Sequence, residues 1–309
     1  MMRLIKMELY RLVLAISTRV MIIVVAGVAV LMSFALRMDL NMMEAEQKTP
    51  GQETGTEPQV PAESFASGFS DGWASAEEGS TEDDFTFGVT AQADESWIGN
   101  DMKVGDILMS ELQGCLLVVF IAIFVPLFVN AEQKRGYIKN IAGQIPRREM
   151  LALSKLPAVA VQVFILFVVF MIANLVSDAI FFRGRIVLKF TGALFRTLGM
   201  QYVLHAAWGC LIALFTMVTR STAFAMTTGI LLASGIVEML IMYLNRVICS
   251  LLPSAEQFNL MRYTLNYATE AMTVQSTLWQ IGGFLTLALV YIAASAVIAG
   301  IVYRKRDVR

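Results

Sequence analysis

The chain has 309 residues, 57% of them hydrophobic and 16% charged. Soluble globular chains are roughly 45–50% apolar and about 25% charged, so this one has too little charge to coat a globule. Its net charge of −1 conceals a sorting: seventeen of the 25 acids fall in residues 38–111, where Lys48 and Lys103 are the only bases.

Charge sorted in this way between apolar runs belongs to an integral membrane protein. One histidine, His205, and three cysteines without ligand spacing argue against a zinc site. A spanning helix needs about 20 mostly apolar residues, with a range of about 17–25. Residues 1–19 come first. Ile5, Leu9, Leu12 and Ile16 recur at helical spacing among Arg3, Lys6 and Arg11, which predicts an amphipathic helix on the inner membrane surface. The first span is 20–36. Phe34-Ala35-Leu36-Arg37 is not a small-x-small cleavage site, so a removed signal peptide is not expected.

Residues 37–111 follow as a large acidic outer loop. Gln47 to Pro61 is rich in Pro, Gly, Thr and Glu and reads as flexible. Phe65, Phe69 and Trp73 would share one helical face, and Phe85, Phe87 and Val89 alternate like a strand. The loop gates a substrate or is a solvated acidic segment with one packing patch. The second span is 112–129, where Pro126 predicts a kink. Residues 130–155 form a basic inner segment, 156–176 the third span, and 177–197 an outer loop that carries Arg183, Arg185, Lys189 and Arg196. The fourth span, 198–218, meets the fifth, 223–244, across the tight turn 219–222. Residues 245–280 form an outer loop, 281–303 the sixth span and 304–309 an inner tail. The fold expected is therefore an all-α membrane protein with six transmembrane helices.

Counting Lys and Arg puts both termini in the cytoplasm and the acidic loop outside, as for a multi-pass protein of the plasma membrane. The basic loop 177–197 is the exception to this rule. Inside the spans, polar groups are expensive and stand out as functional candidates. Glu238 lies in the fifth span. It serves a substrate pathway or an interface ion pair, or makes an ordinary interhelical hydrogen bond. Gln201 and His205 lie one turn apart in the fourth span. Asp178 ends the third, with Arg183 in reach as a partner. Gly27, Gly209, Gly229 and Gly235 would permit close helix approach.

No Gly-x4-Gly-Lys-[Ser/Thr], His-Glu-x-x-His or Gly-x-Ser-x-Gly occurs, so neither ATP binding by a phosphate loop nor hydrolytic chemistry is expected of this chain. The stretch from Asn130 to Lys155 carries more information. Glu132 precedes the bases Lys134, Arg135 and Lys139; Gly136 and Tyr137 lie among them; Gly143 and Pro146 break the helix; Arg147 starts another. This pattern, with the opening Lys6-Met7-Glu8-Leu9-Tyr10-Arg11 and the six-span layout, resembles the ABC type-2 permeases, membrane subunits of ATP-driven exporters. The resemblance implies that Glu132 to Ile141 form a coupling helix, and that Glu132, Lys134, Arg135, Gly136, Tyr137, Lys139 and, beyond the helix, Arg147 take part in the coupling. That helix would dock in a separate ATPase subunit, which would bind the ATP and Mg. It also implies a second copy or a similar permease as partner, an apolar or amphipathic substrate, and no nucleic acid. A non-transporting sensor or immunity protein that binds a ligand with residues 38–111 is the alternative.

Overall fold

The structure, a computed structural model, describes residues 2–48, 97–98, 100–134, 149–251 and 259–305. The described residues are mostly helical. In chain order they form α1 (Met2–Leu14), α2 (Ile16–Lys48), β1 (Met102–Lys103), α3 (Val104–Gln113), α4 (Leu116–Lys134), α5 (Glu149–Phe181), β2 (Ile186–Val187), α6 (Gly192–Thr219), α7 (Thr222–Ala233), α8 (Ile236–Leu251), α9 (Leu265–Glu270) and α10 (Leu278–Lys305). Helices α2, α5, α6 and α10 are long and apolar enough to cross a membrane. So are the pairs α3–α4 and α7–α8, if each bent pair counts as one span. This is the build of a helical membrane protein. Large apolar side chains on its outside, such as Ile23, Leu31, Ile172, Val290 and Val297, are exposed as lipid-facing residues would be.

Helix α6 lies at the centre, packed against α4, α5, α7, α9 and α10. Two helix pairs, α5–α6 and α4–α7, come close because glycine has no side chain. A Cβ on Gly209 of α6 would stand 2.7 Å from Val163 Cγ2, and one on Gly229 of α7 would stand 2.7 Å from the Cβ of Ala122 on α4. Gly27 has open space around it among the described residues. Gly235 has a different use: its φ of +80° turns the chain between α7 and α8, where the axis bends by 58°.

The second span bends elsewhere than expected. Helix α4 runs through Pro126 without a break, and the 53° bend lies at Gly114–Cys115, where Cys115 adopts a φ of 55°. The turn closes locally, with Cys115 N–H donating to Gln113 O at 2.8 Å.

One end of the bundle gathers α1, the end of α4, the start of α5 and the α6–α7 turn. The predicted surface helix α1 packs against α5 through Leu12, fully buried, while Tyr10 and Val13 face outward. Glu8, also buried, pairs with Arg11 at 3.0 Å, and the Arg11 guanidinium stacks 4.8 Å from the centre of the Phe128 ring. Ala15 interrupts the helix, and Thr18 donates to the Leu12 carbonyl at 2.6 Å across the joint.

The opposite end accounts for one base of the basic loop, Arg185. Helix α2 does not stop at Leu36. It continues to Lys48, because Leu36 and Leu40 prolong its apolar stripe into a small core with Trp97, Met102, Ile107 and Phe182. Arg185 Nη1 then meets Glu44 Oε1 at 2.6 Å and Arg185 Nη2 donates to Trp97 O at 2.9 Å, while β1 and β2 pair in parallel. A base on this loop thus neutralises part of the acidic segment. Arg185→Ala should lower the thermal midpoint in detergent by an amount equivalent to about 1 kcal/mol, since both partners are partly exposed. Adding Glu44→Ala should cost little more, which a double-mutant cycle would read directly.

Candidate functional site

The segment from Asn259 to Met272, between the last two spans, ties the two bent helices together. It is locally specified. Asn259 Oδ1 accepts from Met261 N–H at 3.0 Å and caps a short 3-10 turn, Leu260–Tyr263. Thr264 Oγ1 accepts from Tyr267 N–H at 3.2 Å and caps α9.

From this scaffold, side chains reach the breaks. Asn266 Nδ2 donates to Leu232 O at 2.7 Å, satisfying a carbonyl that the bend at Ser234–Gly235 leaves without its regular helical partner. Thr264 Oγ1 lies 2.9 Å from Glu238 Oε1, on the first turn of α8. At the other bend, Gln113 Nε2 reaches the carbonyls of Glu270 and Met272 at 2.8 and 3.1 Å, beyond the last turn of α9. Gln201 Nε2, from α6, takes Thr269 O at 2.9 Å. The Glu270 carboxyl accepts from the Cys115 thiol at 3.8 Å. Burial, and then the charge of Glu238, push Glu270 up to about 7.

A cavity of about 90 Å³ opens beside the α7–α8 bend, lined by Glu238, Trp208, Asn266 and Thr264 among apolar neighbours such as Leu211 and Ile241. Trp208 Nε1 has no acceptor and Asn266 Oδ1 has no donor, although both residues are buried. Such groups carry an unmet cost of about 1–3 kcal/mol each until something fills the space.

Of the residues singled out from sequence, Gln201 and Glu238 both attach to the 259–272 segment. Gln201 holds it in place, and Glu238 lines the cavity. His205 sits next to Gln201, its Nδ1 2.7 Å from Gln201 O, so that nitrogen carries the proton. Its Nε2 is buried without a partner, and the ring meets Phe167 edge-on at 5.8 Å. Asp178 is apart from these, and the expected pairing with Arg183 is absent. Asp178 is 1% exposed, neither carboxyl oxygen has a hydrogen-bond partner, and another acid, Glu111, is near enough to interact with it electrostatically. Ser33 Oγ lies 3.5 Å from Glu111 Oε1. Arg183 cannot serve because the chain turns after Phe181 and carries it outward. No group of three or more metal-binding side chains occurs among the described residues.

The backbone of Glu132 and Lys134 belongs to the last turn of α4, and Arg135, Gly136, Tyr137, Lys139 and Arg147 lie outside the described residues, as do Phe65, Phe69, Trp73, Phe85, Phe87 and Val89. Sequence reasoning missed Trp208, Asn266, Thr264, Gln113 and Glu111. A signal existed for two of them: Thr264 precedes Leu-Asn-Tyr as an N-cap would, and Glu111 leads directly into an apolar run.

No family model matches the chain, and no curated protein and no solved structure matches it. Its class therefore rests on the fold: a helical membrane protein with a stapled pair of bent helices.

Proposed function

We propose that this chain is the membrane-spanning permease subunit of an ATP-driven exporter, without its own nucleotide-binding site. Two such subunits, identical or similar, form the pathway in the plasma membrane, and separate ATPase subunits bind the ATP and Mg in the cytoplasm next to both termini. The reading begins from the resemblance of residues 130–155 to a coupling segment.

The observation that carries it is the joint at which that segment enters and leaves. The end of α4 is fixed to three neighbours at once. Arg11 of α1 reaches Phe128 O at 3.5 Å, buried Lys155 of α5 reaches Val129 O at 3.3 Å, and Asn130 donates to Thr222 Oγ1 at 2.5 Å and to Arg220 O at 3.4 Å. A stroke delivered to residues 135–148 would move α1, α4, α5 and the α6–α7 turn as one piece. A loop that merely connected two spans would need no such bracing. An apolar groove of about 440 Å³ between α2 and α5, lined by Val30, Val169, Ile172 and Val176, suits an apolar or amphipathic substrate that enters from lipid. Alternating access then follows if nucleotide binding favours one of two arrangements of the braced unit.

The test reverses charge in the segment that enters this joint. With Lys134→Glu and Arg135→Glu, the chain should insert normally but no longer co-purify with an ATPase subunit. ATPase association equal to that of the unaltered chain would overturn the coupling assignment.

A further inference from the structure

We infer that the cavity at the α7–α8 bend binds a primary ammonium group bearing an oxygen acceptor a few bonds away, the chemistry shared by an aminoalcohol head group and a peptide N-terminus. This goes beyond the transporter reading and does not rest on it.

Three polar groups face the same space with unused capacity: the Trp208 indole N–H, which needs an acceptor; the Asn266 Oδ1, which needs a donor; and the Glu238 carboxyl, 3% exposed. Glu238 is served by neutral donors only, the Thr264 hydroxyl together with the Asn266 amide and the Tyr267 N–H, and no cation lines the cavity to meet its carboxylate. No basic side chain lines the cavity, and a second acid, Glu270, is near enough to interact with Glu238. An anion is therefore excluded by charge, and an apolar occupant would leave the Trp208 N–H and the Asn266 Oδ1 unpaired in a low-dielectric site.

A quaternary ammonium has no N–H for Asn266 or Glu238. A primary ammonium supplies three N–H donors in addition to its charge, so it can serve Glu238 and Asn266 together. An oxygen on its stem would then accept from Trp208. Size agrees. One water needs about 10–15 Å³ on this measure, so the cavity has room for a cluster of waters or for an ammonium on a short stem.

The two rigid walls, Trp208 on the central helix α6 and Asn266 on the stapled segment, are held by bonds that do not involve the ligand. The third wall, Glu238, sits just after the bend. Occupancy would therefore be sensed where α7 meets α8.

The test uses the full chain in detergent micelles with 15N-labelled indoles. The chain has four tryptophans, and Trp208→Phe identifies the resonance of interest. Ethanolamine and glycinamide are the probes, standing for the head group and the peptide N-terminus; choline is the control. We expect a saturable shift of the Trp208 indole signal with at least one probe and none with choline. Glu238→Gln should weaken binding about tenfold or more. Leu211→Phe, which fills the space without touching its polar wall, should abolish it while the melting temperature holds. A response to ethanolamine alone would identify a lipid-type head group, and one to glycinamide alone a peptide. No saturable shift with either probe, or a choline response equal to theirs, or unchanged affinity in Glu238→Gln, would each overturn the inference and leave the cavity to water.

Discussion

Gly229→Leu should leave almost no folded protein after detergent extraction. A Cβ at this position would lie 2.7 Å from the Ala122 Cβ and 3.4 Å from the Ala122 Cα. Neither atom can rotate away, so α7 must part from α4 along their length, and the Asn130–Thr222 bond at the end of the same pair would stretch with it. Overpacking a core typically costs 1–3 kcal/mol, and a displaced backbone takes the cost to about 3 kcal/mol or more. Gly209→Ala is the graded comparison: its obstacles are Val163 Cγ2 and Val159 Cγ1, methyl groups that can shift by rotation. Gly283→Leu is the control, since a Cβ there meets nothing within 4 Å, and helix propensity alone predicts a slight gain. Size-exclusion profiles and thermal midpoints should rank the three in that order. If Gly229→Leu matched Gly283→Leu, the α4–α7 contact would not exist as described.

The contrast among these glycines also marks what a sequence can reveal. Uninterrupted apolar runs identify α2, α5, α6 and α10, because every residue of such a run must tolerate lipid or core whichever way it faces. The bends are not readable in that way. Pro126 is the strongest helix breaker in its span, yet α4 continues through it, and the break falls at Gly114–Cys115. The deciding contacts there come from Glu270 and Met272, far away in the chain, through Gln113. The extension of α2 was legible in principle, since Leu36 and Leu40 continue the apolar stripe among charged residues. The acidity of the surrounding segment masked it. Arg185 looked misplaced for a similar reason: a rule that counts only Lys and Arg ignores the acid that such a base meets, here Glu44. At the site, residue type pointed to Glu238, but Trp208 and Asn266 carry no such signal. Their importance comes from unpaired atoms that only the packing reveals.

Replacing the acids where α3 meets the end of α5 by amides should stabilise the protein. Glu111 and Asp178 are 0% and 1% exposed, near enough to feel each other's charge, and have no ion pair with a base among the described residues. Only Ser33 Oγ, at 3.5 Å from Glu111, offers a hydroxyl, while Glu111 Oε2 and both Asp178 oxygens have no donor. Asn174, one turn before Asp178 and fully buried, leaves both amide atoms unpartnered as well. A carboxyl buried without donors is costly whether it keeps its charge or holds a proton, and an amide of the same shape avoids both costs without deleting a hydrogen bond that was made. Glu111→Gln and Asp178→Asn should therefore each raise the thermal midpoint, by the equivalent of on the order of 1 kcal/mol. The double variant should gain less than the sum, because the first substitution already removes the repulsion. A protein that retains such a pair against this cost would be expected to use it, so the stabilised variants should lose whatever work the pair performs. A fall in the midpoint for Asp178→Asn would mean the reverse: that Asp178 is held by a cation, and that its negative charge contributes to the fold.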